Sequence, residues 1–219
     1  MKILAIDTAT EMCGAAITDN EVLIAEHRLN RKNMHNETLV TTIDGLLTLA
    51  GQQLDDIDAI AISAGPGSFT GLRIGYSVAK GLAFSHGIKI IPVNTLDVIA
   101  SNVAFWQGDV VVAIKARSTE CYIAKYQIAA RPKRLTDYML INLAELQTIL
   151  SEGTLFIMNP HGFIAQISGC RVADVELAVS RPANIARLAM TREPVAPELL
   201  EPGYLSEFQP KRKKSIMAD

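Results

Sequence analysis

Three oxygen-bearing residues lie at or just after the end of the first apolar segment of the chain, "KILAID". They are Asp7, Thr8 and Thr10. A carboxylate and two hydroxyls suit a hydrated Mg²⁺ and phosphate oxygens, so they indicate a phosphate-facing turn. An aspartate at the end of a strand also caps turns through the local backbone. Both interpretations stay open at this point.

A glycine-rich segment, "SAGPGSFTGLRIGYSVAKGLAF" at residues 63–84, is the second feature that could hold a phosphate. It matches neither G-x-x-x-x-G-K-[ST] nor G-x-G-x-x-G, although the backbone N–H groups at the start of a helix can bind anions. Gly71, Gly75 and Ala79 recur every four residues and form one narrow stripe on a helix. Glycine inside a helix is about 1 kcal/mol less favourable than alanine. The stripe therefore predicts close packing against another helix, in the same lobe or in a partner.

The histidines and serines show no pattern of a metal site or an activated nucleophile. The sequence contains no H-E-x-x-H, H-x-x-x-H or G-x-S-x-G motif. We therefore interpret His27, His35, His86 and His161 as surface or packing residues rather than ligands.

The composition is that of an ordinary folded protein rather than a nucleic-acid-binding or membrane-spanning one. The 219 residues are 49% hydrophobic and 20% charged, with a net charge of −2 and a pI near 6.1. Cys13, Cys121 and Cys170 are far apart, which favours free thiols in a reducing compartment. No apolar run reaches the roughly 18 residues of a membrane span, and the first residues are typical of a strand rather than a signal peptide. The sequence predicts a cytosolic protein.

A basic cluster near the C-terminus consists of Lys211, Arg212, Lys213 and Lys214. Such a charge run is typical of a solvated end. A local contact with RNA or with an acidic partner is the less favoured interpretation.

The first half of the chain alternates short apolar runs with helical periodicity. Strands are predicted for "KILAID", "CGAAIT", "VLIAEHR", "IDAIAIS" and "IKIIPVN". Helices are predicted for residues 35–50, 71–86 and 96–105, the second of them ended by Gly87. The order β-β-β-α-β-α-β-α predicts a mixed sheet with helices on its faces.

The second half repeats the start of the first. "AIDTATEMCGAAI" at residues 5–17 matches "AIKARSTECYIAK" at residues 113–125 without a gap, which places Asp7 on Lys115 and Cys13 on Cys121. A register that is unbroken across two strand-turn-strand patterns indicates structural duplication. We predict a first lobe at residues 1–106 and a smaller, degenerate lobe at residues 107–219, with helices over 140–150 and 182–190. A return of the C-terminal tail to the first lobe stays open.

Duplicated α/β lobes with mixed sheets flanked by helices resemble the ribonuclease-H-like lobes of actin, sugar kinases and Hsp70 chaperones, the ASKHA fold. In those proteins the nucleotide lies between the lobes, and an acidic residue at the end of the first strand helps to hold the metal. Lys115 occupies the duplicated position. A lysine can meet a phosphate but cannot ligate Mg²⁺, so half of the expected metal site is missing.

Four segments together resemble the TsaB family: "AIDTAT", "HNETLV", "SAGPGSFTGLRIGYSVAKGLA" and "IPVNTLDVIA". The resemblance implies a non-catalytic partner and activator of TsaD, which transfers a threonylcarbamoyl group to the adenosine beside the anticodon of certain tRNAs. TsaD carries two metal-binding histidines four residues apart, and here those positions are Thr95 and Ile99. The resemblance thus implies that the metal site is lost. Lys115 and Ser206 depart from the family pattern, which leaves assignments in the second lobe open.

The resemblance also implies the partners and the surface that binds them. It implies a heterodimer with TsaD, a ternary complex with the ATPase TsaE, a homodimer through the same surface, and contact with tRNA only through the complex. It implies no catalytic residue, no cofactor and no membrane contact, and it makes Asp7, Thr8 and Thr10 vestigial phosphate-facing positions. The predicted interface residues are His35, Glu37, Leu39, Gly71, Leu72, Gly75, Tyr76 and Ala79. The alternative is an independent ATP-dependent small-molecule kinase or metallopeptidase-like enzyme of the same superfamily.

Overall fold

The structure is a computed structural model that describes residues 1–30, 35–117, 119–128, 131–159 and 167–201. The basic cluster at residues 211–214, Ser206, His161 and the side chain of His35 lie outside this description. No helix among the described residues is long and apolar enough to span a bilayer.

The first lobe is built on a five-stranded mixed sheet in the order β3-β2-β1-β4-β5. β1, β2 and β3 pair antiparallel, whereas β1, β4 and β5 pair parallel. The predicted order of strands and helices in this half is confirmed. The strands are β1 Lys2–Asp7, β2 Met12–Asp19, β3 Val22–Asn30, β4 Ala59–Ser63 and β5 Lys89–Val93, and the helices are α1 His35–Ala50, α2 Phe69–His86 and α3 Thr95–Ala100.

Local capping fixes the helix ends more sharply than the periodicity did. The Ser68 hydroxyl accepts a hydrogen bond from the Gly71 N–H, so α2 begins two residues before the predicted start. Gly87 ends α2 in the left-handed conformation, with φ of 66°. The side chain of Asn94 caps α3. This helix is shorter than predicted, because a 3-10 turn takes over at residues 101–103.

The second lobe repeats the strand order of the first around a six-stranded sheet, β8-β7-β6-β10-β11, with β9 beside β7. The prediction of two α/β lobes is confirmed, while the boundary after residue 106 stays a prediction. The elements are β6 Gly108–Lys115, β7 Glu120–Ile128, β8 Pro132–Arg134, β9 Met139–Asn142, α4 Leu146–Ile149, β10 Leu155–Asn159 and β11 Arg171–Val172.

The predicted helix over residues 140–150 is largely wrong. Leu140 and Ile141 belong to β9 and pair with Tyr122 and Cys121 of β7. The Asn142 side chain then accepts from the Ala144 N–H and starts a 3-10 turn, so only α4 remains helical. Apolar residues in a run this short fit both the helical and the strand periodicity. Pairing with a neighbouring strand then decides which structure forms.

The ungapped match between the two hairpins is also corrected. Asp7 pairs with Gly14 in the first hairpin, and Lys115 pairs with Cys121 in the second. Residues 8–13 lie between the first pair and residues 116–120 between the second, so the second turn is one residue shorter. Lys115 does correspond to Asp7, but Cys121 corresponds to Gly14 and not to Cys13.

The last described helix, α5 Pro182–Ala189, was predicted as a helix of the second lobe but packs on the first sheet. Its apolar face, with Ile185 and Ala186, shares a core cluster with Ile3 and Ala5 of β1. Beyond α5 the chain forms a β-bridge between Val195 and Ile90 of β5. Helix α5 therefore covers the face of the first sheet opposite α1 and α2, whereas Leu200 at the end of this segment packs in the cluster on the α1 and α2 side.

Helix α3 lies between the two sheets. Leu96 and Ile99 belong to the core of the second lobe, whereas Val98 belongs to the cluster between α5 and the first sheet. All three side chains are fully buried. This short helix is therefore the apolar joint between the lobes.

Thiol reactivity provides a test of the two cores. Cys13 and Cys121 are buried, and burial raises the pKa of the Cys121 thiol to about 12. Cys170 is partly exposed. We expect a disulfide reagent to titrate Cys170 first, and the other two thiols only on unfolding, because the thiolate is the reactive form. Rapid reaction of a second thiol in the folded protein would contradict this packing.

Candidate functional site

A cleft of about 830 Å³ lies between the lobes. Its walls are the turn of the first hairpin, the glycine-rich loop before α2, the turn of the second hairpin and the end of β10. The polar side chains that line it are Thr10, Glu11, Asn36, Ser68, Thr70, Lys115 and Asn159. Glu11 and Lys115 have opposite charges, so the lining offers an anion no excess of positive charge.

Only one of the three predicted phosphate-facing residues lines the cleft. Asp7 is fully buried, and its Oδ1 accepts a hydrogen bond from the Ala9 N–H at 3.1 Å. Thr8 is also fully buried, and its N–H donates to the Ser63 hydroxyl at 3.4 Å. Thr10 lines the cleft, but its Oγ1 accepts from the Met12 N–H at 3.2 Å. The aspartate thus caps the turn, the simpler of the two interpretations of the sequence.

The glycine-rich loop uses much of its backbone within the chain. The Ser68 N–H donates to the Ala9 carbonyl at 2.6 Å, and the Gly71 N–H donates to the Ser68 hydroxyl at 3.2 Å. A Cβ at Gly67 would overlap with the Ala9 carbonyl oxygen, and a Cβ at Gly71 with that of Thr8. Glycine is required here because the first hairpin turn lies directly against the start of α2.

The stripe of small residues on α2 faces the same turn. A Cβ at Gly75 would overlap with the Thr8 hydroxyl, and Ala79 is fully buried. The predicted close approach is confirmed, but the neighbour is the β1–β2 turn of the same lobe and not another helix. The buried residues of the predicted interface pack within the lobe, which favours the intramolecular interpretation, and their assignment to a partner surface stays a prediction. These residues are Leu39, Gly71, Leu72, Gly75, Tyr76 and Ala79.

Thr95 and Ile99, which the resemblance matches to the metal histidines of TsaD, do not line the cleft. Both side chains are fully buried. The Thr95 N–H donates to the Gly65 carbonyl at 2.9 Å, and Ile99 lies in the core of the second lobe. Among the described residues, no three His, Cys, Asp or Glu side chains form a group that could hold a metal ion.

The outer faces of α1 and α2 present apolar side chains that sequence reasoning missed. Val40 is 59% exposed, Leu49 85% and Phe84 76%. Two glycines within these helices, Gly45 and Gly81, have no heavy atom within 4 Å of the position that a Cβ would take. We call these five exposed positions the outer helical face, although Val40 and Leu49, nine residues apart, project from opposite flanks of α1 and only Gly45 and Leu49 line its β3 side. All five lie outside the buried stripe of each helix. Apolar residues outside the buried face of an amphipathic helix could have indicated this surface from the sequence.

An apolar groove adjoins this face between α1 and β3. It encloses about 360 Å³ and is lined in part by Leu29, Leu46 and Leu49. Glu37, the exposed member of the predicted interface, also lines the groove. On α2 the partly buried Ile74, Val78 and Leu82 follow one another at four-residue spacing. The outer helical face thus continues into further apolar surface.

The sequence over residues 23–189 matches the family described as TsaD, tRNA N6-adenosine threonylcarbamoyltransferase. This chain belongs to the TsaD family. The match covers more than half of the chain and runs from β3 through the second sheet to α5, so it does not depend on the glycine-rich segment alone, although β1 and β2 lie before it.

Several similar curated proteins are named TsaB, which confirms the resemblance seen in the sequence. The tRNA threonylcarbamoyladenosine biosynthesis protein TsaB of Escherichia coli is 40% identical over 131 residues, or 58% of this chain and 55% of that protein. TsaB of Haemophilus influenzae is 36% identical over 141 residues, or 63% of this chain and 58% of that protein. The chain spans little more than half the length of these relatives.

A solved structure, YeaZ from Pseudomonas aeruginosa, has the same fold as this TsaD-family chain. The two share 26% sequence identity with a TM-score of 0.81, over 93% of this chain and 99% of YeaZ. Because this similarity covers 93% of the chain, the second lobe is part of the shared architecture.

Proposed function

We propose that this chain acts in the biosynthesis of threonylcarbamoyladenosine in tRNA as a non-catalytic partner and activator of TsaD. The names of its relatives support the pathway. The outer helical face is the main support for a partner role. It combines exposed apolar side chains with two glycines at which the backbone of a partner could approach the helices closely.

The composition of this face suits helix packing. A glycine inside an exposed helix is about 1 kcal/mol less favourable than alanine, and nothing within the described chain requires Gly45 or Gly81. Both glycines permit a partner backbone to come close. Large exposed side chains such as Leu49 and Phe84 then supply apolar area on either side.

The geometry of the cleft supports a non-catalytic role. Asp7 is engaged in capping a turn, Lys115 stands at its duplicated position, and Thr95 and Ile99 are core residues. A kinase of this fold would need a second phosphate-facing carboxylate, and a peptidase would need a metal or a nucleophile. These arrangements favour a subunit over an independent enzyme.

The remaining parts of the proposal follow from the family resemblance. We include TsaE as the ATPase of a ternary complex, a homodimer that competes for the outer helical face, and tRNA contact through TsaD. We place the protein in the cytoplasm, where the complex with TsaD, TsaE and tRNA would form.

A matched pair of variants tests the partner surface. Phe84 on α2 and Phe105 after α3 are 76% and 71% exposed, so neither replacement should disturb the core. We expect Phe84→Glu to weaken binding to TsaD at least about tenfold, equal to ~1.4 kcal/mol, because it places a charge in an apolar interface. Phe105→Glu should bind normally. Calorimetric titration against TsaD measures both, and equal affinities would remove Phe84 and the outer face of α2 from the interface.

Turnover by the isolated chain tests the non-catalytic role. We expect no ATP hydrolysis above the buffer rate in the presence of Mg²⁺, because the cleft lacks the second carboxylate. Phosphate release should be followed for the wild-type chain and for Lys115→Ala, which removes the lysine that lines the cleft. Activity that is lost in Lys115→Ala would instead favour the kinase alternative.

A further inference from the structure

A buried carboxylate on α3 collects hydrogen bonds from three distant segments. Asp97 is 9% exposed. Its Oδ1 accepts from the Tyr126 hydroxyl and its Oδ2 from the Tyr138 hydroxyl, both at 2.8 Å. The Arg192 guanidinium donates to the same Oδ2 at 2.5 Å. None of these four residues lines the cleft between the lobes.

The three donors come from different lobes. Tyr126 lies on β7 and Tyr138 just before β9, so both belong to the second lobe. Arg192 follows α5, in the segment that leads to the bridge between Val195 and β5 of the first sheet. The Asp97 carboxylate therefore connects the second lobe to the layer that covers the first sheet.

The environment keeps this group of hydrogen bonds intact at physiological pH. Burial, and then the charge of Asp97, raise the pKa of Tyr126 and of Tyr138 above the usual range, so both hydroxyls remain donors. The Arg134 guanidinium stacks over the Tyr138 ring at 4.1 Å from its centroid. The charged groups that face the carboxylate are thus Arg192 directly and Arg134 across a tyrosine.

A second polar bridge lies in the turn that follows α3. The Asn102 amide donates to the carbonyls of Leu177 and Val179, at 2.8 and 2.7 Å. Its Oδ1 accepts from the Asn184 amide of α5 at 2.7 Å. Asn102 thus joins the second lobe to α5, and it lies five residues beyond Asp97 on the same segment.

We propose that α3 and the turn after it form a latch, in which Asp97 and Asn102 hold the two lobes in one fixed orientation. The cleft then keeps a single width, and the chain presents its surfaces to any partner as one rigid body. An apolar joint alone would permit sliding, whereas directional hydrogen bonds at both ends of the segment define one arrangement. The latch does not depend on the proposed role in tRNA modification.

Distance measurements between the lobes test the latch directly. Spin labels at Lys89→Cys on β5 and Gln127→Cys on β7 occupy exposed positions in the two lobes. The labelled chain carries Cys170→Ser, because Cys170 is the partly exposed native thiol. With the latch intact, we expect one narrow distribution of distances by pulsed electron spin resonance.

The informative variants remove only the two hydrogen bonds that connect this segment to α5 and the residues after it, from Arg192 to Asp97 and from Asn184 to Asn102. Arg192→Gln removes the ion pair with Asp97, and Asn184→Ala removes the hydrogen bond to Asn102. We expect Arg192→Gln alone to broaden the distribution, and the double variant to add a second distance. Arg192→Lys should restore the narrow distribution, because it can still pair with Asp97.

A control separates the latch from general stability. Tyr138→Phe removes one hydrogen bond to Asp97 but leaves the Arg192–Asp97 and Asn184–Asn102 hydrogen bonds in place. It should lower the melting temperature and leave the distance distribution unchanged. An unchanged distribution in folded Arg192→Gln would overturn the latch, whatever the melting temperature. If the double variant does not fold, the single variant still decides.

Discussion

Gly75→Leu should be among the most destabilising single substitutions in the first lobe. The new side chain would occupy the space of the Thr8 hydroxyl, which lies against Gly75 inside the lobe. Both positions are fully or almost fully buried, so neither the turn nor α2 can yield without disturbing the core. Overpacking of this kind is unfavourable by about 1–3 kcal/mol or more. Thermal unfolding should show the melting temperature several degrees lower.

Gly81→Leu provides the matched control on the same helix. No heavy atom lies within 4 Å of a Cβ at Gly81, and leucine is about 1 kcal/mol better than glycine in a helix. The isolated chain should therefore melt at the same temperature or higher. Binding to TsaD should nevertheless be lost, because the leucine would separate α2 from a partner helix.

The two glycine variants together decide which face of α2 meets a partner. A stable Gly75→Leu chain that fails to bind TsaD would show that the buried stripe of α2 is the interface, as the sequence predicted. A Gly81→Leu chain that binds TsaD with wild-type affinity would exclude the outer helical face at this position. Size-exclusion chromatography of each variant, alone and with TsaD, distinguishes these results.

The elements of the first lobe could be predicted because local signals agree with the final packing. Apolar periodicity and Gly87 predict the order of strands and helices that the pairing of β1 with β4 completes, and the Ser68 and Asn94 caps then adjust where α2 and α3 begin. In the second lobe the runs are shorter. The segment at residues 140–142 became a strand only because β7 offers it a partner. No local pattern contains that information.

The contacts of the stripe and of Asp97 could not be read from the sequence. Small residues at four-residue spacing indicate that something approaches closely, but the hairpin turn that does so lies more than 60 residues earlier in the chain. Aspartate in the first turn of a helix is ordinarily a solvated residue that favours the helix dipole. Asp97 is buried because Tyr126, Tyr138 and Arg192 reach it from β7, the approach to β9 and the end of α5.

Histidines introduced at Thr95 and Ile99 should not recreate a metal site. The two positions are one helical turn apart, as a pair of ligands requires, but both side chains are fully buried and neither lines the cleft. Ile99 lies in the core of the second lobe with Val110 and Tyr126. An imidazole there would replace apolar packing and leave its nitrogens without water.

Ile99→His should therefore destabilise the chain by about 3 kcal/mol or more. Ile99→Val, which only removes a methyl group, should cost about 0.5–1.5 kcal/mol and controls for packing alone. Denaturant unfolding of the two variants measures the difference. A similar stability for both would mean that position 99 can turn toward the cleft.

Metal binding to the double variant is the decisive measurement. A metal that binds only the folded chain raises the melting temperature with its concentration, so Thr95→His with Ile99→His can be scanned with and without Zn²⁺. We expect no rise, because the helix directs position 99 into the core and the cleft offers no further histidine or cysteine among its lining residues. A Zn²⁺-dependent rise in the double variant that neither single variant shows would falsify this geometry. It would mean that α3 can rotate toward the cleft, and the latch at Asp97 would then have to be open.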